Sequence, residues 1–181
     1  MDNAINQSIA PPEQEEAAAT PPRLLELWLP ILIVAVDQAT KAMVRAAVPL
    51  HESVTIIPGF VDFTHVLNSG AAFGILNGVD FPFKTVLIAV IAMAALVGVG
   101  LYAASISHHQ LIARVGLALI LGGAAGNLID RVLFGSVVDF VDVYWRNHHF
   151  WAFNVADSAI SVGVAIMILD MLGVQSRSAS H

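Results

Sequence analysis

Apolar residues fill four long blocks of this chain, separated by shorter polar stretches. The blocks are Leu24–Val48, Val86–Ile106, Leu111–Leu133 and a run from about Asn154 to Val174. Each matches the roughly 20 mostly apolar residues that a helix needs to cross a bilayer. In hydrocarbon every backbone polar group must be satisfied within the segment, which predicts helices. The second block has no charged residue. The first is interrupted by Asp37, Lys41 and Arg45. The third has Arg114 near one end and Asp130 and Arg131 at the other, and the fourth has Asp157 and Asp170 near its ends.

Between the first two blocks the pattern changes. The run SVTIIPGFVDFTHV (residues 53–66) is rich in β-branched and aromatic residues and is split by Pro58-Gly59. It predicts two short strands joined by a turn, forming a small extramembrane sheet. The connection Gly135–Phe153 carries Tyr144, Trp145, Phe150 and Trp151, which suit the membrane–water interface. The link around Ser107–Gln110 is very short. The expected fold class is therefore a mainly α membrane protein: four transmembrane helices with a small β-cradle after the first. Residues 1–22 read as a disordered acidic, proline-rich tail, 23–174 as one membrane domain and 175–181 as a short polar tail. The acidic start does not suit a signal peptide, so the first apolar block is expected to remain as an anchor.

Composition sharpens this picture. Of 181 residues, 57% are hydrophobic and 12% charged, and the mean hydropathy is +0.75. Soluble domains carry about 25% charged residues, so lipid must supply the missing solvent. The net charge of −6 comes partly from Asp2, Glu13, Glu15 and Glu16 in the tail, and nothing favours a nucleic-acid partner. With no cysteine, disulfides, thiolate metal sites and cysteine nucleophiles are excluded.

Four antiparallel spans gather most of the costly polar residues at one side of the membrane. Asp37 and Lys41 fall in the second half of the first span. Asn127, Asp130 and Arg131 lie near the end of the third, Asp139 follows it, and Asn154 and Asp157 open the fourth. Ionisable groups in spans are expensive enough to point to function. Asp37 and Lys41 are i,i+4 neighbours, able to pair on one helix face. Asn127 and Asp130 are i,i+3, as are Asn154 and Asp157, so each asparagine is expected to orient its aspartate. Asn154 suits the N-cap of the fourth helix, and negative charge on Asp157 is favoured in its first turn.

At these residues the chain resembles the lipoprotein signal peptidases, or type II signal peptidases, which are intramembrane aspartyl proteases of bacteria. The matching blocks, in the family's order, are DQATK (Asp37–Lys41), NSGAAFG (Asn68–Gly74), GGAAGNLIDR (Gly122–Arg131), VVDF (Val137–Phe140) and FNVADSAI (Phe153–Ile160). Two departures are small: the family more often has Thr where Ser69 stands, and this tail is longer. The resemblance implies catalytic aspartates at Asp139 and Asp157. It implies supporting or substrate-binding roles for Asp37, Lys41, Asn68, Gly70, Asn127, Asp130, Arg131 and Asn154. It further implies a diacylglyceryl-prolipoprotein substrate cut just before its lipidated cysteine. The site would face the periplasm from the inner membrane, with both termini cytoplasmic. Membrane lipid is the expected partner, a monomer the expected state, and neither a metal nor another cofactor is expected.

Plainer readings stand beside these. Asp130-Arg131 and Asp37-Lys41 could be buried structural pairs. Gly122 and Gly126 form a GxxxG spacing that reads as helix packing. The pairs His108-His109 and His148-His149 lie in loops without metal-ligand spacing. A proton channel would space its acids across the membrane, whereas these cluster at one face. A serine–lysine peptidase could use Ser69 or Ser136 with Lys41 or Lys84. Charge opposes the implied orientation: Arg23, Arg114 and Arg177 lie on the inner side, against Lys41, Arg45, Lys84, Arg131 and Arg146 outside. The orientation therefore rests on the resemblance.

Overall fold

The computed structural model describes residues 24–70, 79, 81–107, 109–146 and 148–178. The acidic tail, most of the NSGAAFG block beyond Gly70, and His108 lie outside the described residues. Helix α1 spans Leu24–Ala47, α2 Lys84–Ser105, α3 Leu111–Phe134 and α4 Val155–Ser178. All four are long and apolar enough to cross a membrane. The boundaries follow the hydropathy blocks closely, except that α4 continues to Ser178.

Helix α3 is the central element and packs against α1, α2 and α4. Helix α2 is mostly open to lipid, with Val86, Val90, Ile91 and Leu101 exposed. Without a hydrophobic drive between helices in lipid, close approach depends on small residues. A Cβ on Gly122 would meet Pro30 and Ile33 of α1, and one on Gly126 would stand 2.7 Å from Asp37 Oδ2. The GxxxG spacing thus makes room for α1 and for its aspartate. A Cβ on Gly123 would run into the carbonyl oxygen of Ala156 on α4.

The sheet is larger than two strands. Strands β1 (Ser53–Ile57) and β2 (Val61–Asn68) form the expected hairpin. The connection between α3 and α4, read from sequence as an interfacial loop, contains β3 (Val137–Trp145) and the two-residue β4 (His148–His149). Strand β3 pairs antiparallel with β2, giving the order β1-β2-β3-β4. Its VVDFVDVYW run is consistently apolar or β-branched but lacks clean alternation, because one half is buried on both faces. Val138 and Phe140 pack with Val44 of α1 and with Val48 just past its end, which seats the sheet on the end of the bundle.

Ionic contacts fix that end. Lys41 Nζ lies 2.8 Å from Asp37 Oδ2, 2.9 Å from Asp130 Oδ2, and donates to Asn127 Oδ1 at 2.9 Å. The ammonium is hydrogen-bonded to Asp37 and Asn127 and meets Asp130 as an ion pair. Asp130 Oδ1 also takes Arg45 Nη2 at 3.0 Å. Asp37 Oδ1 accepts the N–H of Ala156, in the first turn of α4, at 3.0 Å. Asp37, Lys41 and Asp130 are completely buried. Two carboxylates and two cations thus close a neutral knot across α1 and α3, with α4 attached through its backbone.

Sequence reading paired Asp130 with Arg131 and with Asn127, and neither pairing forms. Adjacent helix positions point about 100° apart, so Asp130 turns toward α1 while Arg131 turns away.

Removing one partner of such a group leaves buried, uncompensated charge, at a cost of about 3–5 kcal/mol. Lys41→Met is expected to lower the unfolding midpoint in detergent far more than Arg45→Met, whose guanidinium is 26% exposed. In the same assay Gly123→Ala should cost about 1–3 kcal/mol through overpacking. Gly98→Ala, which meets nothing within 4 Å, should be near neutral. Equal midpoints for Lys41→Met and the unmodified protein would contradict the knot.

Candidate active site

The site grows out of the N-terminus of α4. Asn154 precedes the helix, and its Oδ1 accepts the Asp157 N–H at 2.9 Å. Asp157 Oδ2 reaches back to the Asn154 N–H at 3.3 Å. This reciprocal cap satisfies two backbone donors and fixes both side chains. With its oxygen committed to the cap, the Asn154 amide turns outward and donates to Asp139 Oδ1 at 2.7 Å. One asparagine therefore touches both aspartates.

Asp139 arrives from β3. Its register opposite Val66 brings it beside Asn68 at the end of β2, whose Nδ2 donates to Asp139 Oδ2 at 3.0 Å. Asp157 Oδ1 accepts from Asn127 Nδ2 on α3 at 2.7 Å. The sequence expectation that Asn127 orients Asp130 is thus corrected: it orients Asp157, across the α3–α4 contact. Its own Oδ1 accepts from Lys41, so the knot behind the site sets the direction of the amide in front.

Burial removes water from Asp139 and, together with the negative charge of Asp157 nearby, pushes its pKa up to about 7. Hydrogen bonds from Asn68 and Asn154 and the charge of Lys41 oppose this rise without cancelling it. Near neutral pH Asp139 is divided between its protonated and ionised forms.

Asn68, Asn127, Arg131, Asp139 and Asp157 line a cavity of about 650 Å³. Its far wall is apolar, built from Trp151, Phe153, Ile160 and Val162. Arg131 spans its edge, with Nη1 donating to Asn127 O at 3.2 Å and Nη2 to Gly70 O at 3.1 Å. Of the residues singled out from sequence, Asp139, Asp157, Asn68, Asn127 and Arg131 share the cavity. Asn154 and Gly70 support its members. Asp37, Lys41 and Asp130 stand behind it in the knot.

Sequence reading missed Gln38, whose Nε2 donates to Gly126 O at 3.1 Å and to Asp130 Oδ1 at 3.3 Å. Its signal was a polar residue beside Asp37 inside an apolar span. Arg45 was read only as a flanking charge. The histidine pair in β4 does other work: His149 Nδ1 lies 2.8 Å from Asp142 Oδ2, and its ring stacks on Tyr144. Among the described residues no three His, Cys, Asp or Glu side chains group as metal ligands.

The chain is similar to known proteins in both sequence and fold. The family pattern described as signal peptidase (SPase) II matches residues 29–173. A lipoprotein signal peptidase of Geobacter metallireducens is 45% identical over 146 residues, covering 80% of this chain and 88% of that protein. One from Pseudomonas putida is 43% identical over 152 residues, covering 82% and 87%. A bacterial membrane enzyme solved by the in meso method at 2.3 Å superposes with a TM-score of 0.75 at 32% identity, over 84% of this chain and 90% of that one. A second, solved at 1.9 Å, gives 0.71 at 28% identity, over 81% and 92%. With a pattern match across all four helices and the sheet, and relatives of nearly equal extent, the chain belongs to the signal peptidase II family.

Proposed function

We propose that this membrane peptidase removes signal peptides from diacylglyceryl-modified prolipoproteins, cutting just before the lipidated cysteine with Asp139 and Asp157 as its catalytic pair. The observation that carries the reading is the pair itself: two carboxylates on one cavity, bridged by Asn154, one of them with a pKa near 7.

Two adjacent carboxyl groups do not both ionise easily, so the pair holds one proton near neutrality. Asp157, in the first turn of α4, is the ionised member. It takes a proton from a water, whose oxygen attacks the scissile carbonyl. Asp139, protonated, donates to the developing oxyanion. Collapse of the tetrahedral intermediate breaks the C–N bond: the gem-diol hydroxyl returns its proton to Asp139 as the carbonyl re-forms, and the proton held by Asp157 passes to the leaving amine. Neither carboxylate is consumed. The apolar far wall suits the lipid attached to the substrate cysteine, and Arg131 at the cavity edge suits a peptide carbonyl. The site then faces the periplasm from the inner membrane, with both termini cytoplasmic, and one copy of the chain suffices.

A serine–lysine alternative has one observation in its favour, since Lys84 Nζ donates to Ser69 Oγ at 3.1 Å. Lys84 also donates to Val79 O at 2.8 Å, a donor role at odds with that of a general base. Lys41 is committed to Asp37, Asp130 and Asn127.

The test is release of the signal peptide from a diacylglyceryl-modified prolipoprotein in detergent. Asp139→Asn and Asp157→Asn should each lower the rate by about 10²–10⁴-fold or more, with unfolding midpoints retained. Cleavage that survives both changes would remove the aspartyl reading and bring Ser69 forward. Because Asp139 must carry its proton, kcat/KM should fall as pH rises through about 7. A flat profile from pH 6 to 9 would contradict that role. Chelators should leave the rate unchanged, and strong inhibition would count against the pair.

A further inference from the structure

The turn that ends β2 is held from two helices. Asn68 Oδ1 accepts the Gly70 N–H at 3.0 Å, while its Nδ2 donates to Asp139. On one side Arg131 of α3 donates to Gly70 O. On the other, Lys84 Nζ donates to Ser69 Oγ and to Val79 O. Ser69 lies between the residue that touches Asp139 and the residue that touches Arg131.

Lys84 is an odd choice for this place by ordinary criteria. It opens an α2 that has no other charged residue, and a cation at a helix N-terminus opposes the helix dipole. A lysine at the end of a span ordinarily extends its charge to water, yet this one is only 8% exposed. The residue before it, Phe83, has a left-handed backbone with φ 66° and a side chain 81% exposed. A bulky non-glycine residue in that region is strained and persists where the surroundings dictate it. The chain turns Phe83 outward and Lys84 inward, against dipole, solvation and backbone preference together. In that position the Lys84 ammonium grips Ser69 Oγ and Val79 O.

We infer that Lys84, acting through Ser69, is a positioning residue of the reaction: it holds the Asn68–Gly70 turn so that the Asn68 amide stays on Asp139. Lys84 does not line the cavity and touches no reacting atom. The inference rests on the proposed catalytic role of Asp139. A loosened turn weakens a hydrogen bond that favours ionised Asp139, so the carboxyl would hold its proton to higher pH.

The experiment compares full-length Ser69→Ala, Ser69→Thr, Lys84→Met and Lys84→Arg with the unmodified enzyme on the same lipidated prolipoprotein. Ser69→Ala and Lys84→Met should each lower kcat about 10- to 100-fold, the scale of a misplaced catalytic group, with KM little changed. In both, the alkaline limb of the pH profile should move to higher pH. Ser69→Thr and Lys84→Arg keep a hydroxyl and a donor and should restore most of the rate. The double variant should be no slower than Lys84→Met alone, because Ser69→Ala acts through a contact that Lys84→Met has already removed. Should Lys84→Met not fold, the small change Ser69→Ala carries the test. An unchanged kcat and pH profile in Ser69→Ala, with Asp139→Asn inactive, would overturn the inference alone. So would a slower rate with an unmoved alkaline limb. Survival of activity in Asp139→Asn would instead overturn the reading on which the inference rests.

Discussion

A lysine ammonium with no access to water holds this structure together. Lys41 is completely buried and surrounded by Asp37, Asn127 and Asp130. A lone charge at that depth would be ruinous, and even a buried ion pair often gains little over apolar packing. Here the arrangement does more than neutralise. The carboxylate of Asp37 has one oxygen on Lys41 and the other on the backbone of α4. The amide of Asn127 has its oxygen on Lys41 and its nitrogen on Asp157. Each group bound to the cation is thereby oriented for a second partner, and the second partners include the candidate active site. Positional information passes from α1 to α4 through two side chains.

The same constraint accounts for the division of labour among the helices. Helix α2 takes no part in the knot and is mostly exposed to lipid. Helix α3 is lined with small residues because it must admit both α1 and α4. The sheet contributes what helices cannot. A strand side chain held by register on one side and by a helix cap on the other gives Asp139 a fixed position on an otherwise apolar wall. The result is a carboxyl pair on one cavity, formed by elements from four separate parts of the sequence.

How much of this could be read from the chain depended on the kind of interaction. The four spans were legible because the bilayer imposes length and hydropathy on each segment separately. The β1–β2 hairpin was legible from Pro58-Gly59 between two β-branched runs. Strand β3 was not, because burial on both faces erases the alternation that marks a strand, and Tyr144 and Trp145 drew attention to the interface instead. Site membership was legible for Asp139, Asp157, Asn68, Asn127 and Arg131, but partner choice was not. Asn127 and Asp130 are helical neighbours that both meet Lys41, but the Asn127 amide nitrogen goes to Asp157, so sequence spacing proposed a contact that a partner on another helix displaces. Asn154 and Asp157, joined by a local cap, were paired correctly. Lys84 was read from sequence only as a candidate base for Ser69 or Ser136, and its place as a donor that grips the turn was not legible.

The neutral knot also has a history in time. Arg45 on α1 meets Asp130 only after another 85 residues have been made. At synthesis rates of about 5–20 residues per second, that is a wait of roughly 4 to 17 s. During it α2, with a mean hydropathy of 2.6 in its best window, can partition into lipid unaided. Helix α1 differs: Lys41 and Asp37 can neutralise each other within it, but the carboxylate that Arg45 meets is on α3. The order of elements along the chain thus becomes an order in which charges are matched, and the end of the first helix is matched only once the third has been made.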